Sequence, residues 1–284
     1  MGAPAEPRAP HSRAGGADAA AGEGPAGVLL TIAYDGRDFS GFALQRDVRT
    51  VAGELLGALR TIDPAIAEVR GASRTDAGVH ARGQRVAFDP VADRPLTAWV
   101  HGAQRQLPDA ISIRRAAFVP RGFTPRFAAR WKRYRYLLVT DGVRDPFWAD
   151  RAWRVPELRE PGAMTRALAE AATAVGTHDF RAFRTAKDQR TDTVRTVEEV
   201  TITTSADDPR LVRVDVRGNA FMHNMVRIMV GTIVDVARRR LAPGAIARAL
   251  ASGDRRQGGM TAPAEGLYLE DMELDVEERE ILAP

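Results

Sequence analysis

Cysteine is absent from the 284 residues, which removes disulfides, thiolate metal sites, iron–sulfur clusters and cysteine nucleophiles at once. Also missing are apolar runs approaching the roughly 18 to 20 residues that span a bilayer, and the compact apolar core of a secretory signal. The expected compartment is therefore the cytoplasm, with no membrane contact. Lysine is almost absent: Lys132 and Lys187 are the only two, and the other 39 cations are arginine. A GC-rich coding sequence would favour Arg and Ala anyway, so each arginine has to be read by its position. The five histidines, His11, His80, His101, His178 and His223, are scattered. Neither His-Glu-x-x-His, nor a Walker loop, nor a Gly-x-Ser-x-Gly elbow occurs. No metal and no cofactor are expected.

What is present fits an ordinary folded protein. With 44% hydrophobic and 27% charged residues, the chain can bury one large or two modest cores. Its net charge of +4 permits a polyanionic partner without demanding one. Residues 1–26, rich in Ala, Gly and Pro, are expected to form a disordered tail. Strands are predicted over Val28–Tyr34, Ile66–Arg70, Gln84–Phe88 and Ile111–Val119, with helices over Val51–Ile62 and Leu96–Gln106. Beyond a Pro- and Arg-rich stretch at 120–130, strands are predicted over Trp131–Val139, Val197–Thr203 and Leu211–Val216. Helices are predicted over Ala163–Ala174, from Phe221 to about Arg238, and over Pro243–Ala251. Strands often follow one another directly, which favours an α+β fold with mostly antiparallel sheets.

Three segments could carry chemistry. Ser73 to Arg82 is small and polar between two apolar strands, where a hairpin would need only a short turn. Asp76, beside Arg74 and a Gly-containing turn, suits a carboxylate held by a neighbouring cation; it also suits simple turn hydrogen bonding, with Gly78 supplying a positive φ. In Arg133-Tyr134-Arg135-Tyr136, alternation puts the tyrosines on one face of a strand and the arginines on the other. Tyr134 could stack on a base or cap the core. In the late helix, steps of about 100° per residue bring His223, Asn224, Arg227, Gly231 and Asp235 into one polar arc of roughly 120°. That stripe either faces solvent or aims Arg227 into a cleft.

The run Arg74-Thr75-Asp76-Ala77-Gly78-Val79-His80-Ala81 resembles the signature of the tRNA pseudouridine synthases of the TruA type. Further resemblances follow in that family's order: Tyr34-Asp35-Gly36, Gly41 to Gln45, Arg126-Phe127-Ala128, Arg133 to Tyr136, Phe221 to Arg227, and Ala264 to Leu269. The resemblance spans roughly residues 28 to 275 and implies a pseudouridine synthase fold. Two similar subdomains, 27–125 and 126–284, would flank an active-site cleft between their sheets. It further implies a homodimer that isomerises uridine to pseudouridine at positions 38 to 40 of the tRNA anticodon stem-loop, without cofactor. On that resemblance Asp76 is the catalytic nucleophile, Arg74 the arginine that moves as the base is flipped, and Arg227 the partner of the aspartate. Tyr134, Leu267 and His223 fall at substrate-binding positions. The chain departs from the family at Phe42, commonly Trp, at Ser73, often Gly, and at Thr124, frequently His or Asp. A tRNA-binding or tRNA-folding module without turnover is the alternative class, and a pure binder would need none of Asp76, Tyr134 or Arg227 in particular.

Overall fold

Why the chain forms strands at these places, and how they join, is read from a computed structural model that describes residues 26–185, 188 and 191–283. The tail expected over 1–26 lies, apart from Ala26, outside the described residues. The first half runs β1 (Gly27–Tyr34), α1 (Val51–Arg60), β2 (Arg70–Gly71), β3 (His80–Phe88) and β4 (Ile111–Val119). A single helical turn, α2 (Pro125–Ala128), leads into β5 (Ala129–Val139) and then β6 (Trp153–Arg154), α3 (Ala163–Ala172), β7 (Gly176–Asp179), β8 (Val194–Thr204) and β9 (Leu211–Gly218). The chain closes with α4 (Met225–Ala237), α5 (Ala245–Ser252), β10 (Leu267–Leu274) and β11 (Arg279–Leu282). The fold is α+β, and no helix of the described residues is long and apolar enough to cross a membrane.

The strands form one sheet in the order β11-β4-β1-β3-β10-β5-β9-β8-β7, with β2 on β3 and β6 on β5. A sheet for each half was the expectation, and β10 alters it. This late strand lies parallel to β3, Tyr268 opposite His80, and antiparallel to β5, Leu269 opposite Tyr134. It therefore hydrogen-bonds the halves into a single surface. The boundary expected after residue 125 lies between β4 and β5, and β11 then returns to pair with β4 in the first half.

Alternation along β5 works as its sequence predicts. Tyr134, Tyr136 and Leu138 enter the main core, while Arg135 on the opposite face pairs with Asp215 and Glu270, both at 2.9 Å. The core on the helix-bearing face is shared by Leu30, Leu55, Val86, Trp99, Phe183, Val214 and Met229. Three local expectations change. Ile66 is buried but not in a strand, because the Asp63 carboxylate accepts from the N–H groups of Ala65, Val91 and Ala92 and ties the segment into a turn. The helix expected over Leu96–Gln106 carries a wider π turn at Ala98–Gly102. The late helix begins at Met225, four residues after the expected start, because Asn224 adopts φ 62°.

Candidate active site

The polar loop between β2 and β3 is fixed from several sides. The buried Gln84 amide accepts the Ser73 N–H at 3.2 Å and donates to the Ser73 carbonyl at 2.7 Å. Tyr34 and Thr75 share a hydroxyl hydrogen bond of 2.7 Å, and the Thr75 carbonyl accepts from Phe42 N–H at 3.1 Å. A tight turn then forms as Val79 N–H donates to the Asp76 carbonyl at 3.1 Å. Gly78, at φ 78°, supplies the left-handed conformation that this turn needs. Asp76 is thus carried on rigid backbone, and its carboxylate remains free to meet groups from the second half of the chain.

Those groups come from α4 and the residues just before it. Every residue of α4 except Arg227 is buried, and at about 1.5–3 kcal/mol for each large apolar side chain the helix is firmly anchored. Arg227 alone turns its charge outward, placing Nη1 3.3 Å from Asp76 Oδ2. The same nitrogen donates to Asn224 Oδ1 at 2.7 Å, and Nε donates to the Ala262 carbonyl at 2.8 Å. Three acceptors therefore set the plane of the guanidinium. His223 completes the group with Nε2 3.1 Å from Asp76 Oδ1, its Nδ1 lying 2.8 Å from Thr185 Oγ1.

The polar arc expected on one helix face has a different construction. His223 and Asn224 precede the helix, and reach the same place through the left-handed turn at Asn224. Further along the arc, Gly231 and Asp235 are covered by the segment 258–262. A Cβ at Gly231 would collide with the Met260 carbonyl, and Asp235 Oδ2 accepts from Met260 N–H at 2.9 Å. This packing delivers the Ala262 carbonyl to Arg227.

A cavity of about 600 Å³ opens above Asp76. Arg74, Asp76, Tyr134, His223, Arg227 and Leu267 all line it, so the six residues singled out from the sequence share one site. Arg74 is not the cation that holds Asp76: it is exposed and makes no ion pair among the described residues. Tyr134 stands edge-on to Phe221 with ring centroids 5.2 Å apart, its hydroxyl 3.0 Å from Ser73 Oγ. Burial pushes its phenol up to about 12, a shift that Asp76 adds to and the Ser73 hydrogen bond opposes. The hydroxyl thus stays protonated at neutral pH.

His80, at the end of the signature run, belongs elsewhere. Its Nδ1 accepts from Gly36 N–H at 3.1 Å, Nε2 lies 3.2 Å from the Asp150 carbonyl, and the ring stacks on Tyr268 at 4.5 Å. Burial holds its pKa below the ordinary value, outweighing Asp35 Oδ1 at 3.2 Å, which favours the charged ring. It clamps three segments beneath the site.

Lys132 escaped the sequence reading. It is buried on the Tyr134 face of β5 and lines the cavity, with Nζ donating to the Ala72 carbonyl at 2.7 Å and lying 3.3 Å from Ser73 Oγ. Two signals pointed to it: lysine is scarce in this chain, and position 132 shares a strand face with 134. Lys132→Met keeps the length but removes these donors, and is expected to cost about 1–3 kcal/mol of stability. It should also slow turnover by loosening the Ser73 contact to Tyr134. Urea unfolding and single-turnover rates check this, and a variant as stable and as fast as wild type would refute it.

Known proteins resemble this chain along most of its length. A family model described as tRNA pseudouridine synthase matches residues 171–275, a stretch that contains His223, Arg227 and Leu267 but not Asp76 or Tyr134. "tRNA pseudouridine synthase A" of Halalkalibacterium halodurans is 39% identical over 241 residues, covering 84% of this chain and 89% of that protein. "tRNA pseudouridine synthase A" of Brevibacillus brevis is 42% identical over 242 residues, covering 85% and 97%.

Proposed function

The chain belongs to the tRNA pseudouridine synthase A family, and from that premise we propose that it isomerises uridines at positions 38 to 40 of the tRNA anticodon stem-loop, with Asp76 as the nucleophile. The observation that carries the reading is the convergence of Asp76, Arg227, His223 and Tyr134 on one cavity from distant parts of the sequence.

The reaction breaks the C1′–N1 bond of uridine and joins C1′ to C5 of the same ring. C5 gives up a proton and N1 ends with one, so atoms balance and no electrons enter or leave. A positioned carboxylate answers this need, and a redox agent has no part in it. Asp76 is that carboxylate, Arg227 aims it, and Arg74 at the exposed rim is free to move as the uridine leaves its stack. Tyr134 and Leu267 offer the apolar walls against which the flipped base lies, and His223 meets the carboxylate oxygen of Asp76 that Arg227 leaves. Arginines along the cleft hold the phosphates, and the enzyme works as a homodimer in the cytoplasm.

Mapping pseudouridines in tRNA from cells with and without this gene tests the reading. Loss of the modification at positions 38 to 40 is expected, and an unchanged map would overturn it. No group of three or more His, Asp or Glu among the described residues could hold a metal ion. Because the rearrangement stays within one nucleotide and exchanges no electrons, activity is expected to survive dialysis against EDTA with no added nucleotide or reductant, spermidine replacing the magnesium that folds the tRNA. Complete loss that zinc restores would contradict this.

A further inference from the structure

Among the large apolar side chains of the described residues, Phe127 is the most open to solvent, at 85%. Its backbone is nonetheless fixed. Pro125 is buried at the start of α2, Phe127 N–H donates to the Thr124 carbonyl at 3.2 Å, and the Ala128 carbonyl accepts from Asp275 N–H at 2.7 Å. The adjoining residues Arg126 and Ala129 line the cavity that holds Asp76. A rigid turn therefore presents a bare aromatic ring beside the mouth of that cavity, next to the exposed Arg126 and with the exposed Arg74 also in the lining.

We propose that Phe127 is a stacking platform for a nucleobase of the RNA strand next to the uridine that enters the cavity. The proposal rests on reading the cavity as the uridine site. A uridine drawn out of its stack leaves its neighbours with an uncovered face, and a ring beside arginines is the chemistry that takes up such a face: the ring stacks on the base while the guanidinium groups hold the flanking phosphates. Because the turn is already ordered, stacking costs little conformational entropy. The other fully exposed phenylalanine shows what the alternative surroundings look like. Phe147 is 81% exposed, but its N–H is taken by Asp145 at 2.9 Å, and Asp145 and Asp141 both pair with Arg210. There the arginine is held by carboxylates, and none of residues 145–149 lines the Asp76 cavity.

Binding of a defined tRNA transcript is measured for wild type, Phe127→Ala, Phe127→Trp and Phe147→Ala across a salt series, with thermal melting and sedimentation of each protein. Phe127→Ala is expected to weaken binding about tenfold, in the range for loss of one base–aromatic stack. Phe127→Trp should recover it to within about twofold, and Phe147→Ala should leave it unchanged. The slope of log Kd against log salt should stay the same for all, since no phosphate contact is removed. A Phe127→Ala protein that binds as wild type overturns the proposal. So does one whose only change is a shift in self-association, which would make the ring part of a protein interface. Wild-type turnover of the same transcript is the separate check on the cavity: its absence overturns the uridine-site reading, whatever Phe127 does to binding.

Discussion

Replacing Asp76 with Asn is expected to abolish pseudouridine formation, even in single-turnover reactions, while leaving tRNA binding within about threefold of wild type, a difference of only ~0.65 kcal/mol. Asn is nearly isosteric with Asp and can still accept from Arg227, so the loop that Gln84, Tyr34 and Phe42 hold in place should keep its shape. What is lost is the negative charge and the nucleophilic oxygen. Affinity comes mostly from arginine contacts to phosphates, a salt-dependent term that one carboxylate scarcely touches. Single-turnover conditions remove product release from the comparison. Measurable pseudouridine from rigorously purified Asp76→Asn protein would sink the assignment of Asp76 as nucleophile. No pseudouridine from the wild type on any tRNA would favour an RNA-binding module.

The second large effect is expected at Arg227. Lysine keeps the charge there but can satisfy only part of the arrangement, in which one guanidinium reaches Asp76, Asn224 and the Ala262 carbonyl together. With its aim lost, the Asp76 carboxylate should sit out of line with the reacting atoms. Turnover of Arg227→Lys is expected to fall about a hundredfold, the cost of misplacing a reacting group by ~1 Å. Because the rest of α4 is buried, the helix itself should stay in place and tRNA affinity should barely move. Rapid-quench rates and binding isotherms on the same preparations separate the two. Collapsed affinity with normal turnover of bound tRNA would make Arg227 a phosphate contact instead.

Local patterns carried much of this site. The polar run from Ser73 to Arg82 stood out between two apolar strands, and the alternation along β5 put Tyr134 on the buried face. Long-range geometry was less legible. A left-handed residue is invisible to helical periodicity, so the pattern predicts helix through the turn at Asn224, although the angular count still groups the residues that meet at Asp76. Nothing in the neighbourhood of Gly231 and Asp235 announces that residues 258–262 fold back over them, so the sequence leaves their face open between solvent and a cleft. Arg74 sits two residues from Asp76, a spacing that suits an ion pair, yet its side chain is exposed to solvent and the partner comes from 151 residues away. Strand pairing is also a choice among many apolar segments, and nothing in Leu267–Leu274 alone specified a place between β3 and β5.

That placement of β10 bears on the order in which the molecule can be assembled. Its partners Tyr268 and His80 are far apart in the chain, and such non-local pairings close late because the entropy of the intervening loop is lost before any bond forms. Until the ribosome has released residues beyond about 270, the stretches of β3 and β5 that β10 covers lack a partner on that side, and no strand lies between the two halves. Leu267, which completes the cavity wall, arrives on the same strand that joins the halves. A nascent chain therefore cannot hold a partly formed cavity in its final shape, and the site comes into being in the same step that covers these open stretches of strand edge.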